Sequence, residues 1–344
     1  MKNLIPMLIM GLFATLPMKG QDTMAPLKIS GSVDVYYKYD LRSGSDGLEE
    51  SNINTSFAGD HNSVSIGMAN LIVSQTLEKV GFVADLSFGP RGQDRSILNA
   101  KDGNSFHIQN LYLTYSPSKG LTFTAGFMGT FIGYEVISPV DNFHYSTSYL
   151  FTNGPFQNAG IKASLVISDK ITIMAGLFND WNVYHDANGL ADFGTRLSLN
   201  PVVGFDVDFH LLTGPTSGTT VDVVSRYAWT SMWSTGVNFT VQRKAEMVPD
   251  YAGLALYQEV ILSDALELGV RTEWFKYTNQ NNGTGSFMNS GYFAATLTGN
   301  INLGPLTLIP EWRYDFSERP EFSDRHGDPV SSASQILLAA VYAF

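Results

Sequence analysis

Apolar and polar positions alternate along most of the chain. Over 27–39 every odd position is apolar, aromatic or Gly31, and the even positions are polar apart from Tyr36. The same period returns over 82–88, 121–127, 159–167, 171–177, 205–211, 266–271, 293–303 and 306–315. An extended strand sends successive side chains to opposite faces, so each run carries one oily and one wet face. Helical spacing fits none of these runs comparably. The runs last roughly 10 to 13 residues, nearer the length that crosses a bilayer than the 5–6 usual in soluble sheets. Charges fall on the wet face deep inside them, and Tyr37, Tyr39, Phe88, Tyr115, Trp229, Trp274, Trp312 and Tyr314 cluster near their ends, where membrane interfaces place aromatic girdles.

The connections alternate in length. Short links at 78–79, 116–120, 168–170, 200–202, 230–234, 263–264 and 303–305 are interleaved with longer polar stretches near 41–62, 89–105, 129–155, 181–191, 213–218, 242–249, 277–289 and 317–331. Seven turns and eight loops predict an all-β, closed antiparallel transmembrane β-barrel of about sixteen strands. Short periplasmic turns would lie at one end and long extracellular loops at the other.

The two ends of the chain carry separate information. Met1-Lys2-Asn3, an apolar run over 4–18 and then Lys19-Gly20-Gln21 have the layout of a signal peptide over 1–20. Residues 21–344 then form one domain, with no linker or tandem repeat to divide it. At the other end, 336–344 is an uncharged run on which Ile336, Leu338, Ala340, Tyr342 and Phe344 share a face. That ending resembles the C-terminal signature of bacterial outer-membrane proteins, which makes Tyr342 and Phe344 an expected assembly signal for the barrel-assembly machinery. A last strand of this kind must close on the first or leave a bare edge.

Composition narrows the class. Only 15% of residues are charged, below the roughly 25% of soluble proteins. Strands that meet lipid account for the deficit. The absence of cysteine excludes disulfides, thiolate metal sites and thiol nucleophiles. With 32 Asp+Glu against 21 Lys+Arg the chain is a poor nucleic-acid binder, and loss of Lys2 and Lys19 would take the net charge from −11 to −13.

The loop 129–156 holds seven aromatics and so must pack on something. Gly126-Phe127-Met128-Gly129-Thr130-Phe131-Ile132-Gly133-Tyr134-Glu135, followed by Asn142, Tyr145, Ser146 and Gly154-Pro155-Phe156, resembles the beta-barrel porins described as OmpL-like. The likeness extends loosely over 27–344 and implies a bacterial outer-membrane barrel of porin function, passing small hydrophilic solutes through a wetted lumen. No substrate or catalytic residue follows from it. Phe131, Tyr134, Glu135, Asp141, Tyr145 and Tyr149 are the candidates for a constriction loop folded inward; an ordered cap over the mouth is the other way to bury them.

Wet-face charges are the candidate pore lining: Lys162, Arg196, Asp206, Asp208, His210, Asp222, Arg226, Glu267, Arg271, Glu273, Glu311 and Arg313. Arg271 with Glu273, and Glu311 with Arg313, are expected to pair, and a small excess of acids predicts a mild cation preference. A non-channel surface barrel with a filled lumen is the alternative. No catalytic constellation stands out, so neither an enzyme nor a cofactor is expected. Asp206, Asp208 and His210 share one strand face, but a wetted wall explains them without a metal. The expected partners are outer-membrane lipid, the barrel-assembly machinery and small solutes; oligomeric state is left open.

Overall fold

The computed structural model describes residues 25–41, 51–53, 55–92, 106–187, 189–243, 245, 249–279 and 290–344. The expected leader 1–20 lies outside the described residues. Sixteen strands close into one antiparallel barrel. The first eight are β1 Lys28–Asp40, β2 Ser63–Leu77, β3 Val80–Phe88, β4 Phe106–Ser118, β5 Leu121–Gly129, β6 Gln157–Ser168, β7 Ile171–Phe178 and β8 Asp192–Val202. Then come β9 Phe205–Gly214, β10 Gly218–Ala228, β11 Trp233–Arg243, β12 Asp250–Ser263, β13 Leu266–Asn279, β14 Gly291–Leu303 and β15 Leu306–Ser317. A small ribbon of β16 Phe322–Ser323 with β17 Pro329–Val330 sits outside the wall, and β18 Ser332–Ala343 completes it.

Every barrel strand pairs with its sequence neighbour, and β18 pairs with β15 on one side and β1 on the other. Closure runs to the last residue: Gly31 N donates to Phe344 O at 3.0 Å, and Phe344 N to Gly31 O at 3.0 Å. A closed wall leaves no bare edge, which is what the bilayer demands of a sheet. A 12-residue strand rises roughly 40 Å along its axis, so at a tilt of about 40° it covers the apolar thickness of an outer membrane. Alternation sorts the side chains as expected. Val33, Val35, Leu254, Leu256, Leu338 and Tyr342 point outward and are exposed, whereas Asp34, Lys38, Asp222, Arg271 and Arg313 point inward and are buried.

Pro310 interrupts the ladder between β14 and β15. Pairing runs through Thr298 and Glu311, then resumes at Ile301 and Leu308. Proline has no N–H to donate, so this position adds no ladder hydrogen bond of its own, while the register stays the same on either side. At this gap the Asn300 amide turns inward and donates to Phe143 O at 3.1 Å.

Candidate functional site

The loop 130–156 between β5 and β6 crosses the inside of the barrel. Past β5 it lies against β7–β9, where Phe131 packs on Phe178 with ring centroids 5.4 Å apart, beside Met174, Trp181 and Leu212. It reaches β12, where Tyr134 lies flat against Tyr257 (4.0 Å, 10° between planes). Farther on, Tyr145 donates to Asp34 on β1 at 2.5 Å and Tyr149 to Asp315 on β15 at 2.7 Å. Burial first, and then the facing carboxylate, hold both phenols well above their ordinary pKa, so they act as fixed donors. The loop therefore spans from one side of the lumen to the other.

A buried loop must satisfy its backbone, and the barrel wall supplies the partners. Glu311 accepts from Tyr145 N at 3.0 Å and Ser146 N at 3.3 Å. Glu273 accepts from Tyr149 N and Leu150 N at 2.8 Å each, at the start of the short helix α1 Tyr149–Asn153. Asp222 accepts from Gly133 N at 3.0 Å. In the other direction, Arg271 donates to Ser146 O and Arg313 to Thr147 O, both at 2.7 Å. Within the loop, Glu135 accepts from Ser148 N and Ser148 Oγ at 2.8 Å each, and Ser148 in turn caps α1 through Phe151 N at 3.0 Å.

This network corrects the pairing read from sequence. Arg271 bonds Glu135 of the loop at 2.5 Å rather than Glu273, and Arg313 holds Asp315 on its own strand face at 2.7 and 2.9 Å rather than Glu311. Glu273 and Glu311 are taken up by loop N–H groups. A second correction concerns exposure. His210, Asp222, Arg271, Glu273, Glu311 and Arg313 face inward as expected but are buried beneath the loop, so they anchor it and do not border open space.

The other six wall candidates are not covered in this way. Lys162 and Arg196 are half-buried on β6 and β8, and Asp208 is half-buried on β9. Asp206, Arg226 and Glu267 line a cavity of about 650 Å³ between the loop and the turn end of the barrel. From the loop, Tyr134, Glu135 and Asp141 also reach it; Phe131, Tyr145 and Tyr149 do not. With Glu259 the described residues of the lining present four carboxylates (Asp141, Asp206, Glu259, Glu267) to the guanidinium of Arg226, which lies over the Tyr134 ring at 4.2 Å, while the charge of Glu135 is matched by Arg271. Asp206, Asp208 and His210 do not converge on a common point: Asp206 accepts from the Asn200 amide and His210 Nδ1 sits 2.8 Å from Asp222.

Several participants escaped the sequence reading. Glu259 and Tyr257 lie on β12, whose inward positions 251, 253, 255 and 257 are apolar or glycine, so its wet face did not announce itself. Arg91, in the connection after β3, reaches in to donate to Ile137 O at 2.8 Å and stacks over Phe57 (4.5 Å) and Tyr145 (4.7 Å). Asn52, from the β1–β2 connection, exchanges two 2.8 Å hydrogen bonds with Ser323. Two inward glycines mark where the loop leans on the wall. A Cβ on Gly236 would overlap the Tyr134 ring, and one on Gly269 the Phe143 ring. Inward glycine on β11 and β13 facing an aromatic-rich loop was the available clue.

The barrel is similar to solved outer-membrane structures. It aligns with the outer membrane channel DcaP of Acinetobacter baumannii at TM-score 0.61 and 11% identity, over 92% of this chain and 97% of that one. Outer-membrane expressed OmpT of Vibrio cholerae gives TM-score 0.57 and 12% identity over 92% and 97%. An anion-selective porin from Comamonas acidovorans gives 0.59 and 12% over 93% and 99%. A comparison with curated protein sequences gives no match. Across residues 26–344 the chain matches the family described as "Putative beta-barrel porin-2, OmpL-like", and it belongs to that family.

Proposed function

We propose that this bacterial outer-membrane porin passes small hydrophilic solutes and ions by passive diffusion, with the 130–156 loop as a fixed constriction and a preference for cations. The observation that carries the reading is the excess of four carboxylates (Asp141, Asp206, Glu259, Glu267) over the one guanidinium of Arg226 around the cavity at the turn end. A charged lining in a narrow, low-dielectric passage concentrates ions of opposite sign. Other inward charges hold the loop: three wall carboxylates take its N–H groups and two buried arginines its carbonyls. A loop bound this densely narrows the passage permanently and does not swing.

The packing of Phe57, from the β1–β2 connection, against Phe151 and Phe156 of the loop favours a tight passage over a wide one. The porin family and the closed barrel support a channel rather than an enzyme. Purified protein in a planar bilayer tests it. Stepwise conductance with a cation-biased reversal potential in a KCl gradient is expected; a sealed bilayer or an anion bias overturns the reading. The Tyr342 and Phe344 side chains face outward on the closing strand, a placement consistent with their proposed use by the assembly machinery.

A further inference from the structure

The connection 179–187 between β7 and β8 straddles the rim of the barrel. Trp181 belongs to the inward cluster of Phe131, Met174 and Leu212, whereas Tyr184 lies against the outer wall. The register shows which face that is. Leu111 on β4 pairs with Phe127 on β5, and Phe127 pairs with Ala159 on β6. Directly paired residues share a face, and Leu111 is outward and 50% exposed. Phe127 and Ala159 therefore face outward too, yet they are only 6% and 7% exposed. At Phe127 the cover is Tyr184, whose ring centroid is 4.4 Å from that of Phe127 and whose hydroxyl lies 3.4 Å from Ile108 O. The connection is firmly fixed. Asn182 Oδ1 accepts from Phe156 N at 2.9 Å and Gln157 N at 3.0 Å, Asn179 Nδ2 donates to Tyr184 O at 3.3 Å, and Asp180 N donates to Asp186 Oδ2 at 2.7 Å.

Between this overhang and the wall lies a crevice of about 350 Å³, lined by Ile108, Leu111, Phe127 and Ala159 and edged by Asn179 and Tyr184. None of the described residues lining it is charged. We propose that the crevice seats one acyl chain of an outer-membrane lipid. The occupant follows from where the crevice opens. It is continuous with the outer face on which Leu111, Leu113 and Ile161 are exposed, so hydrocarbon lies at its mouth. An unfilled recess against lipid forfeits the dispersion contacts of its own walls, and a methylene chain restores them. Ile108, Phe127 and Ala159 each stand two residues from the loop end of their strands, so the chain comes from the leaflet at that end. With no cation in the lining, the crevice recognises the chain and not a phosphate headgroup. Leu254 and Leu256 on β12 are exposed on the open outer face and have no such overhang among the described residues. The seat does not depend on whether the lumen conducts.

Photolabelling tests the seat. The folded full-length barrel is reconstituted into phosphatidylcholine vesicles that contain a phosphatidylcholine with a diazirine on one acyl chain, and labelled positions are mapped by mass spectrometry. Labelling around Leu111, Phe127 and Tyr184 is expected to exceed that around Leu254 and Leu256 by about three-fold or more, because freely exchanging lipid meets both walls alike. Ala159→Phe fills the crevice and Tyr184→Ala removes its cover. Each is expected to bring the excess down to the level of β12, with folding checked by heat-modifiable migration. Even labelling of the two walls in the native sequence, or an excess untouched by both variants, overturns the proposal.

Discussion

Arg271 on β13 and Glu135 in the loop lie 136 residues apart in sequence, yet the guanidinium donates to the carboxylate at 2.5 Å with both side chains buried. The same arginine holds Ser146 O, and the same carboxylate holds Ser148, so one ion pair ties the wall to both arms of the loop. Breaking a buried pair from one side typically costs about 3–5 kcal/mol, because the surviving charge is left unpaired. The barrel ladder does not depend on that pair, so Arg271→Met is expected to free the loop and leave the sheet closed. Single-channel recordings should then show larger and noisier steps, with heat-modifiable migration retained. Arg271→Met/Glu135→Gln should recover part of the loss. An unchanged step size in Arg271→Met would mean that the loop does not set the passage.

The seat of Phe143 offers an independent handle on the loop. Gly269 leaves room for that ring, and any Cβ there overlaps it. Gly269→Val is therefore expected to push Phe143 and the adjoining Asn300 contact off the wall, while adding a β-branched residue that strands accept readily. Conductance should change with little loss of barrel stability. A fall in unfolding temperature with conductance unchanged would assign Gly269 to the sheet and not to the loop.

Much of this architecture was legible as pattern. Alternation from Lys28 to Tyr39 and across 306–315 sorted lipid-facing from inward residues, because a closed barrel preserves period two around its whole circumference. Turn and loop lengths counted the strands for the same reason. Charge pairing was not legible. Arg271 and Glu273 share a face two residues apart, and nothing local says that a loop will come between them. The loop replaces water over that wall, so its N–H groups capture Glu273 and Glu311 and its own Glu135 captures Arg271. Glu259 was hidden because β12 is glycine and aromatic on the inside where its neighbours are charged.

His144 makes the loop sensitive to acid. Its pKa lies well below the ordinary value in the folded protein because of burial and the nearby Arg271 and Arg313. Below about pH 6.5 the unfolded chain binds a proton at this residue that the folded chain does not, so stability is full above that pH and falls as the solution is acidified. His144→Gln keeps a donor for Thr298 and removes the titration. Unfolding temperatures compared at pH 7.5 and pH 5.5 should drop less for His144→Gln than for the native sequence. Equal drops in the two proteins would place the acid sensitivity elsewhere.

Phe344 contributes two things that can be separated. Its backbone exchanges two 3.0 Å hydrogen bonds with Gly31 at the seam, and its ring is exposed on the outer face beside the β1 terminus. Deleting it removes one closely spaced pair from a seam that keeps nine further register positions between β1 and β18. Net stability per hydrogen bond is only about 1 kcal/mol, so refolding into detergent should survive the deletion almost intact. Assembly in the cell should not, if the terminal aromatic is what the assembly machinery reads. Phe344→Ala keeps the backbone pair and removes the ring alone. It is expected to refold like the native chain in vitro and to reach the outer membrane at a several-fold lower level. Normal surface levels of Phe344→Ala would confine this residue to closing the seam.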